Sequence, residues 1–316
     1  MQKTAISWTD VTWNPTRGCS RVSEGCRNCY AERIAARFSG SWKGEQALRF
    51  EPGPFGSFAV RTDSGPRWTG HVELIEDKLQ EPLHWRKPRR VFVNSMSDLF
   101  HESLPDADIL SVFQTMGKCP AHTFQILTKR PERMLEFLRR RHWRNLGHSS
   151  AMGGDHYVSL AINEPKFTYE HDPAFLPNVW LGVSVEDRKN MDRIELLRET
   201  PAALRFLSLE PLLEDLGRLD LTGIGWVICG GESGPGARPF DLAWARNARD
   251  QCAAAGTAFF MKQVGAKPYE IVGSGFDYAA PSQGSPVSYL KLRDRKGGTM
   301  EEWPEDIRVR QFPEAR

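Results

Sequence analysis

The chain has 316 residues, and its 42 Lys and Arg against 40 Asp and Glu give a formal net charge of +2. At roughly 150 residues per domain, this length predicts one large domain or two ordinary ones. The balanced charge excludes a protein that coats polyanions by bulk charge, and a composition of 40% hydrophobic and 26% charged residues excludes a disordered chain. No apolar run approaches the ~18–20 residues of a membrane span, and the N-terminus shows no apolar signal core. We therefore expect a cytoplasmic protein without a membrane partner.

Short apolar, β-branched runs predict seven strands along the chain. The first is expected within Thr4–Trp13, and the others are Val91–Ser95, Thr123–Leu127, Val179–Ser184, Leu204–Ser208, Trp226–Cys229 and Ala258–Met261. Nearly continuous apolar runs are typical of parallel strands that are covered on both faces.

Helix-periodic segments lie between these strands. They are Cys29–Phe38, Ala107–Gly117, a segment that begins at Pro131, Asp187–Glu199 and Asp241–Ala255, with Gly256 as a predicted stop. The alternation predicts a parallel α/β fold. We favour a partial (β/α)6-type TIM barrel, because polar residues follow nearly every strand and strand ends converge at one face of a barrel.

Two segments interrupt the alternation and predict the domain organisation. We expect a barrel over residues 1–266 with insertions at about 40–70 and 144–178. Residues 267–316 are expected to form a C-terminal extension packed on the barrel, with an edge-like run at Ser288–Asp294.

Six cysteines are too few for a disulfide scaffold, but three of them fall within eleven residues. Cys19, Cys26 and Cys29 have the spacing C-x6-C-x2-C, and a glycine precedes each of the first two, which lets the backbone turn sharply so that sulfurs converge. In a reducing cytoplasm, such a cluster points to metal or redox chemistry. The remaining cysteines, Cys119, Cys229 and Cys252, are expected to be small buried core residues.

Three interpretations of the cysteine cluster compete. A structural zinc site normally needs four protein ligands, and the nearest histidine, His71, is far away in sequence. A [4Fe–4S] cluster bound by three cysteines leaves one iron open for another ligand. The third interpretation is three reduced thiols without metal. The residues favour the iron–sulfur cluster.

The string N-P-x-R-G-C…G-C-x-x-C-Y-A resembles the radical S-adenosylmethionine superfamily, especially spore photoproduct lyase and its relatives, whose usual spacing is C-x3-C-x2-C. The strand-end segments VNSMSDLFHE, QILTKRPERM, LGVSVED, RFLSLEPLL and ICGGESGP are similar to an uncharacterised radical-SAM-like family of phages and mobile elements. The similarity covers about Ala5–Gly265.

This resemblance implies that Cys19, Cys26 and Cys29 bind a [4Fe–4S] cluster whose open iron chelates S-adenosylmethionine. Reductive cleavage of that cofactor would release a 5′-deoxyadenosyl radical, with a reducing partner such as flavodoxin or ferredoxin as electron donor. In the lyase-like relatives a lysine and a serine at strand ends contact the cofactor, which points to Lys129 and Ser184.

Other polar strand ends are further candidates. Ser95 and Asp98 are candidates for the cofactor's ammonium group, and Tyr30 is a candidate for its adenine. The alternative is that such residues merely cap the following helices, as Asp98 or Ser184 would. Glu210 and Glu232 end later strands and are the catalytic candidates, because carboxylates there orient a substrate or move protons. For Glu232, the alternative is a surface carboxylate in a tight turn.

Two basic, aromatic segments bear on the substrate. Trp85–Arg90 and Arg139–Arg144 have the composition that grips phosphates and stacks bases, although both also fit solvated helix ends or strand entries. Together with the resemblance to lesion-repair lyases, they favour a nucleic-acid base, in DNA or RNA, as substrate. The competing hypothesis is a non-enzymatic, zinc-stapled module that binds nucleic acid or protein.

Overall fold

The computed structural model describes residues 4–43, 49–139, 141–146, 157–162, 175–272 and 287–314. Seven strands form one sheet: β1 (Val11–Trp13), β2 (Arg90–Val93), β3 (Thr123–Thr128), β4 (Val179–Ser184), β5 (Leu204–Leu209), β6 (Trp226–Gly230) and β7 (Ala258–Gln263). They are parallel and follow one another across the sheet in chain order, and the sheet curls into a half-barrel. The predicted partial TIM-barrel fold class is confirmed.

Five helices correspond to the predicted segments: α1 (Tyr30–Arg37), α2 (Asp106–Gly117), α3 (Pro131–Arg139), α4 (Asp192–Glu199) and α5 (Leu242–Ala255). The backbone at Gly256 is left-handed, with φ of 67°, and ends α5 as predicted. The fourth helix begins later than predicted, because a 3-10 turn at Arg188–Asn190 precedes it.

The remaining elements are short. Antiparallel pairs join Thr16–Arg17 to Glu73–Leu74, Gly40–Lys43 to Arg49–Pro52, Ala59–Thr62 to Gly65–Trp68, and Arg141–Leu146 to Tyr157–Ile162. Glu76–Leu79 is a single helical turn, and 3-10 turns lie at Glu24–Cys26, Glu81–His84, Met300–Glu302 and Glu305–Ile307. The first predicted insertion thus contains two hairpins. Of the second, residues 147–156 and 163–174 lie outside the described residues.

The chain separates into two compact units, which divide it differently from the predicted boundary at residue 266; that boundary stays a prediction. The first unit comprises Met1–Gly182 and Glu199–Leu204. Its helices α2 and α3 contribute to an aromatic cluster in which Phe100, Phe113 and Phe137 have ring centroids 5.7–6.4 Å apart. Such contacts dominate the energetics of a core because each ring buries a large apolar area.

The second unit comprises Val183–Arg198 and Arg205–Arg316. In its core, Trp226 of β6 lies 5.8 Å from Phe206 and 5.9 Å from Phe260, measured between ring centroids. Backbone hydrogen bonds join β7 to the C-terminal segment, from Met261 N to Val309 O at 2.8 Å and from Gln311 N to Phe259 O at 2.9 Å. This segment therefore covers an edge of the sheet.

The described residues bear on two smaller expectations. Of the predicted edge run Ser288–Asp294, only the first two residues are in a strand, Val287–Tyr289, and the run from Leu290 onward is not. This strand pairs with the strand Pro268–Ile271, itself joined to Phe240–Asp241. The three scattered cysteines are buried, as predicted: Cys119, Cys229 and Cys252. In the described part of the chain, no helix has the length and apolar character needed to cross a membrane.

Candidate functional site

The loop that carries the three cysteines follows β1 and leads into α1. Gly18, directly before Cys19, has a φ of 93° and forms a parallel bridge with Ser97. A Cβ atom at Gly18 would lie 1.9 Å from the carbonyl oxygen of His71, so a side chain does not fit there. The expectation of a sharp glycine turn is confirmed at this position. Gly25 instead lies within a 3-10 turn.

All six cysteines lie within the described residues, and all are free thiols. The three clustered cysteines are partly exposed at the residue level. Burial of the Cys19 sulfur raises its pKa to about 12; the negative charge of Asp98 also raises it, whereas the positive charge of Arg130 lowers it. Charges on Cys29 and Cys26 raise the pKa of Cys19 further, so the three sulfurs lie within electrostatic range of one another.

Cys29 precedes α1 and has a different environment. Burial raises the pKa of its thiol, and a charge on Cys26 adds to the rise. Hydrogen bonds from the backbone N–H groups of Glu32 and Ala31 oppose it. These donors in the first turn of α1 favour a thiolate over a thiol. The sulfur thus has donors for the charged form that a metal requires.

The donor set fits an iron–sulfur cluster in its chemistry. In the described residues, no three His, Cys, Asp or Glu side chains are arranged around a single metal ion. One tetrahedral zinc would hold its sulfurs about 3.8 Å apart, given Zn–S bonds of about 2.3 Å. A [4Fe–4S] cluster holds each cysteine on a different iron and therefore farther apart. Three cysteine thiols in one loop are the donor type that such a cluster requires.

Asp98 organises the loops that follow β2 and β3. Its Oδ1 accepts hydrogen bonds from Thr128 Oγ1 at 2.7 Å and Phe100 N at 3.0 Å. Its Oδ2 accepts from Lys129 N and Arg130 Nη1, both at 3.1 Å. A carboxylate has about four acceptor sites, and these donors use them. The geometry therefore favours positioning of the two loops over a bare carboxylate for an ammonium group, and Asp98 caps no described helix.

Arg130 is a residue of this site that sequence reasoning missed. Its side chain is 5% exposed, and its Nη2 donates to Ser20 Oγ at 2.8 Å, while Nε donates to Glu102 Oε1 at 2.8 Å. Nε2 of His101 lies 2.8 Å from the same Ser20 hydroxyl. Ser20 follows Cys19, so this group of side chains holds the cysteine loop. The available signal was an arginine two residues after an apolar strand, in TKRPE.

Tyr30 and Ser95, both predicted to contact a cofactor, are directly connected. Tyr30 Oη donates to the Ser95 carbonyl at 2.9 Å, and Ser95 Oγ donates to Asn14 Oδ1 at 3.1 Å. Tyr30 is 44% exposed. These bonds join the start of α1 to the ends of β1 and β2. Lys129, at the end of β3, is partly exposed and is linked through its backbone to Asp98.

A buried ion pair also fixes the cysteine loop to α1. Glu32 is 1% exposed and its carboxylate accepts from Arg21 Nε at 3.1 and 3.0 Å, with Arg21 Nη2 as a further donor. Trp68 N donates to the same carboxylate at 2.9 Å. The sequence signal was a charged residue on the buried side of an amphipathic helix.

Ser184, in the second unit, is the last residue of β4 and is 3% exposed. Its carbonyl accepts from Arg193 Nη1 at 2.8 Å, and Arg193 also pairs with the fully buried Glu186 at 3.1 Å. The residue that precedes the following 3-10 turn is Asp187, so the alternative that Ser184 caps a helix is wrong. Contact between Ser184 and a cofactor stays a prediction.

The two catalytic candidates each have a basic partner in the second unit. Lys262 Nζ donates to both oxygens of Glu210, at 2.7 and 2.8 Å. Glu232 is 7% exposed and accepts from the Arg238 Nε at 3.0 Å and Nη2 at 2.6 Å. The alternative of a surface carboxylate at Glu232 is wrong. A Cβ at the preceding Gly231 would lie 2.5 Å from Val264 O, so this glycine permits close backbone packing.

The first basic segment, Trp85–Arg90, is not beside the cysteine loop. Arg90 begins β2, whereas the cysteine loop follows the end of its parallel neighbour β1, so the two lie at opposite ends of these strands. Asp10 accepts from Arg90 N at 2.7 Å and from its Nη2 at 3.1 Å. In the other segment, Arg139 pairs with Glu199, and Arg140 lies outside the described residues. Nucleic-acid binding stays a prediction.

These observations define the class: a parallel α/β half-barrel protein with a three-cysteine loop at the carboxyl end of its first strand. The chain belongs to the family described as "Protein of unknown function (DUF5131)", whose family model matches residues 3–298. Comparisons with curated proteins and with solved structures gave no match.

Proposed function

We propose that this protein is a radical S-adenosylmethionine enzyme in which Cys19, Cys26 and Cys29 hold a [4Fe–4S] cluster. The observation that supports this most is that three free, partly exposed cysteines lie in the one loop between β1 and α1. When bound, the cluster and cofactor supply reductive cleavage of S-adenosylmethionine, with a protein such as flavodoxin or ferredoxin as electron source.

The cysteine environment determines how the thiols become ligands. Because the pKa values of Cys19 and Cys29 are raised, both are protonated near neutral pH and must release protons when metal binds. The N–H groups of Ala31 and Glu32, and the charge of Arg130, then stabilise the thiolates. Cluster assembly should therefore become more favourable as pH rises.

The strand-end residues have separate proposed roles. Lys129 binds the cofactor's carboxylate or its ribose and Ser184 the ribose, while Tyr30 and Ser95 line the adenine and amino-acid regions. Glu210 and Glu232 orient the substrate or move its protons, and Lys262 and Arg238 hold the two carboxylates in place through ion pairs. Asp98 is reassigned to positioning, because its oxygens already accept four hydrogen bonds.

A nucleic-acid base is the proposed substrate, and the cytoplasm the proposed compartment. The aromatic and basic segments and the motif resemblance support a nucleic-acid substrate. Six free thiols support a cytoplasmic location, since disulfides are rare in a reducing compartment.

The test is anaerobic reconstitution of the full chain with iron and sulfide, followed by dithionite and S-adenosylmethionine. We expect about four irons per chain, as one [4Fe–4S] cluster requires, and 5′-deoxyadenosine as product. Stoichiometric zinc, no iron and no cleavage would refute the proposal and support the zinc-stapled binding module.

A further inference from the structure

The guanidinium of Arg130 joins the cysteine loop to the end of β2. Its Nη2 donates to Ser20 Oγ at 2.8 Å and to the Ser20 carbonyl at 3.3 Å, while Nη1 donates to Asp98 Oδ2 at 3.1 Å. The side chains of Arg130 and Asp98 are 5% and 8% exposed. Because Ser20 is bonded to Cys19, these contacts restrict the backbone from which one predicted cluster ligand projects.

A second buried side chain holds the same hydroxyl. His101 Nδ1 accepts from Ser103 N at 3.2 Å, so Nε2 carries the ring proton of the neutral imidazole and donates to Ser20 Oγ at 2.8 Å. The Ser20 oxygen thus accepts from two directions, from Arg130 and from His101. We call Ser20, His101, Asp98 and Arg130 the loop clamp.

The clamp also places charge near Cys19. Asp98 and Arg130 act on this thiol in opposite directions, and Glu102 contacts Arg130 from the exposed side at 2.8 Å. Loss of the guanidinium would leave the buried Asp98 carboxylate uncompensated beside the cysteine. Positive charge near an iron–sulfur centre stabilises its more negative, reduced state and so raises its reduction potential.

We infer that Arg130 is a positioning residue for the metal centre: it holds the Cys19 loop through Ser20 and raises the reduction potential of the bound cluster. This inference rests on the proposed function. It assigns two separable effects to the Arg130 side chain. The hydrogen bonds of the guanidinium order the cysteine loop, and its charge raises the reduction potential of the cluster.

The test compares anaerobically reconstituted full-length wild type with R130Q, R130K and S20A. The control is R246Q, which removes an arginine paired with Asp306 and Glu270. Midpoint potential is measured by a redox titration followed by electron paramagnetic resonance of the reduced cluster, and iron retention is measured after desalting. We expect a more negative potential and faster iron loss in R130Q. R130K and S20A should keep a potential near that of wild type but lose iron faster.

The outcomes separate the two proposals. A wild-type potential in R130Q overturns the inference while the proposed function stands. If R130Q does not fold, wild-type iron retention in both R130K and S20A overturns the inference. A similar shift of potential in R246Q also overturns it, because the effect would then lack specificity. A wild-type chain that binds no iron overturns the proposed function and, with it, this inference.

Discussion

Lys262 of β7 reaches both carboxylate oxygens of Glu210, which follows β5, although β6 lies between these strands. The reason is Gly230 at the end of β6, where a Cβ would lie 3.3 Å from Glu210 Cδ. A glycine in the middle strand thus leaves room for an ion pair between its two neighbours. The pair has side-chain exposures of 19% and 17%, so water screens it only in part.

Replacement of Lys262 by Met should destabilise the protein by about 1–3 kcal/mol, because a half-buried carboxylate loses its hydrogen-bond donor. The measurement is the free energy of unfolding in urea. The matched control is Lys78→Met, which breaks the more exposed pair with Glu81 and should cost only about 0–1 kcal/mol. Equal costs for the two variants would contradict the structural importance of the Glu210 pair.

Cys29→Ala should abolish iron binding and cofactor cleavage while the far-ultraviolet circular dichroism stays that of the wild type. The physical reason is that this change removes only one sulfur atom from a residue that lies in a loop and is partly exposed, whereas a three-ligand site cannot lose a ligand. Cys119→Ala, in the core, is the control and should retain iron. Production of 5′-deoxyadenosine by Cys29→Ala at the wild-type rate would show that this cysteine is not a cluster ligand.

Gly18→Ala should disrupt the cysteine loop much more than a glycine substitution elsewhere at a similar φ. Both Gly18 and Gly65 have a left-handed backbone, with φ of 93° and 101°, but a Cβ at Gly65 meets nothing within 4 Å. Gly65→Ala should therefore cost only the backbone strain, on the order of 1–2 kcal/mol.

For Gly18→Ala, the clash with the His71 carbonyl adds to this strain. We therefore expect a larger decrease in melting temperature than for Gly65→Ala, together with weaker iron binding. Indistinguishable melting temperatures for the two alanine variants would mean that the His71 segment moves away at no cost.

His122 should make the protein sensitive to acid. Burial lowers the pKa of His122 in the fold, outweighing its hydrogen bonds to the Pro82 and Trp85 backbone. The unfolded chain therefore binds the proton first, so stability is complete above about pH 6.5 and is lost as the pH falls below it. The His122 ring centroid lies 5.7 Å from that of Trp85 and 6.1 Å from that of Phe124. His122→Phe would keep this ring packing and should reduce the loss of stability at low pH.

The measurement is the melting temperature between about pH 5 and 7, the range in which an ordinary histidine titrates. His84→Phe, at an exposed position, is the control and should follow the wild-type profile. If His122→Phe follows it too, burial of that imidazole does not contribute to the acid sensitivity.

The local sequence pattern was sufficient to predict the strands and helices. The six predicted later strands begin within one residue of the observed ones, because apolar β-branched runs bounded by polar residues form buried strands in most packings. The stop at Gly256 follows from local backbone sterics, whereas the left-handed backbone at Gly18 is reinforced by the distant His71 carbonyl.

The sequence did not predict which partners the polar side chains bind. The sequence predicted Asp98 as a cofactor ligand or helix cap and Glu232 as a catalytic or surface carboxylate, yet each is buried among donors of the protein itself. Arg130 and Lys262 follow or lie within apolar strands and give only the weak signal of a charge in an apolar context. Each partner is chosen by which strand ends become neighbours, and the residues concerned are as many as 110 positions apart in the chain.

The sequence by itself determined the parallel α/β class, the order of strands and helices, and the three cysteines as a single loop after the first strand. These features depend on periodicity and on contacts within a few residues. Only the tertiary structure decided that Arg130 holds that loop and that Lys262 pairs with Glu210 across a glycine. It also decided that both oxygens of Asp98 already accept hydrogen bonds from the protein. Such pairings depend on strand register and on burial, which bring distant residues within hydrogen-bond distance and make an unpaired charge costly.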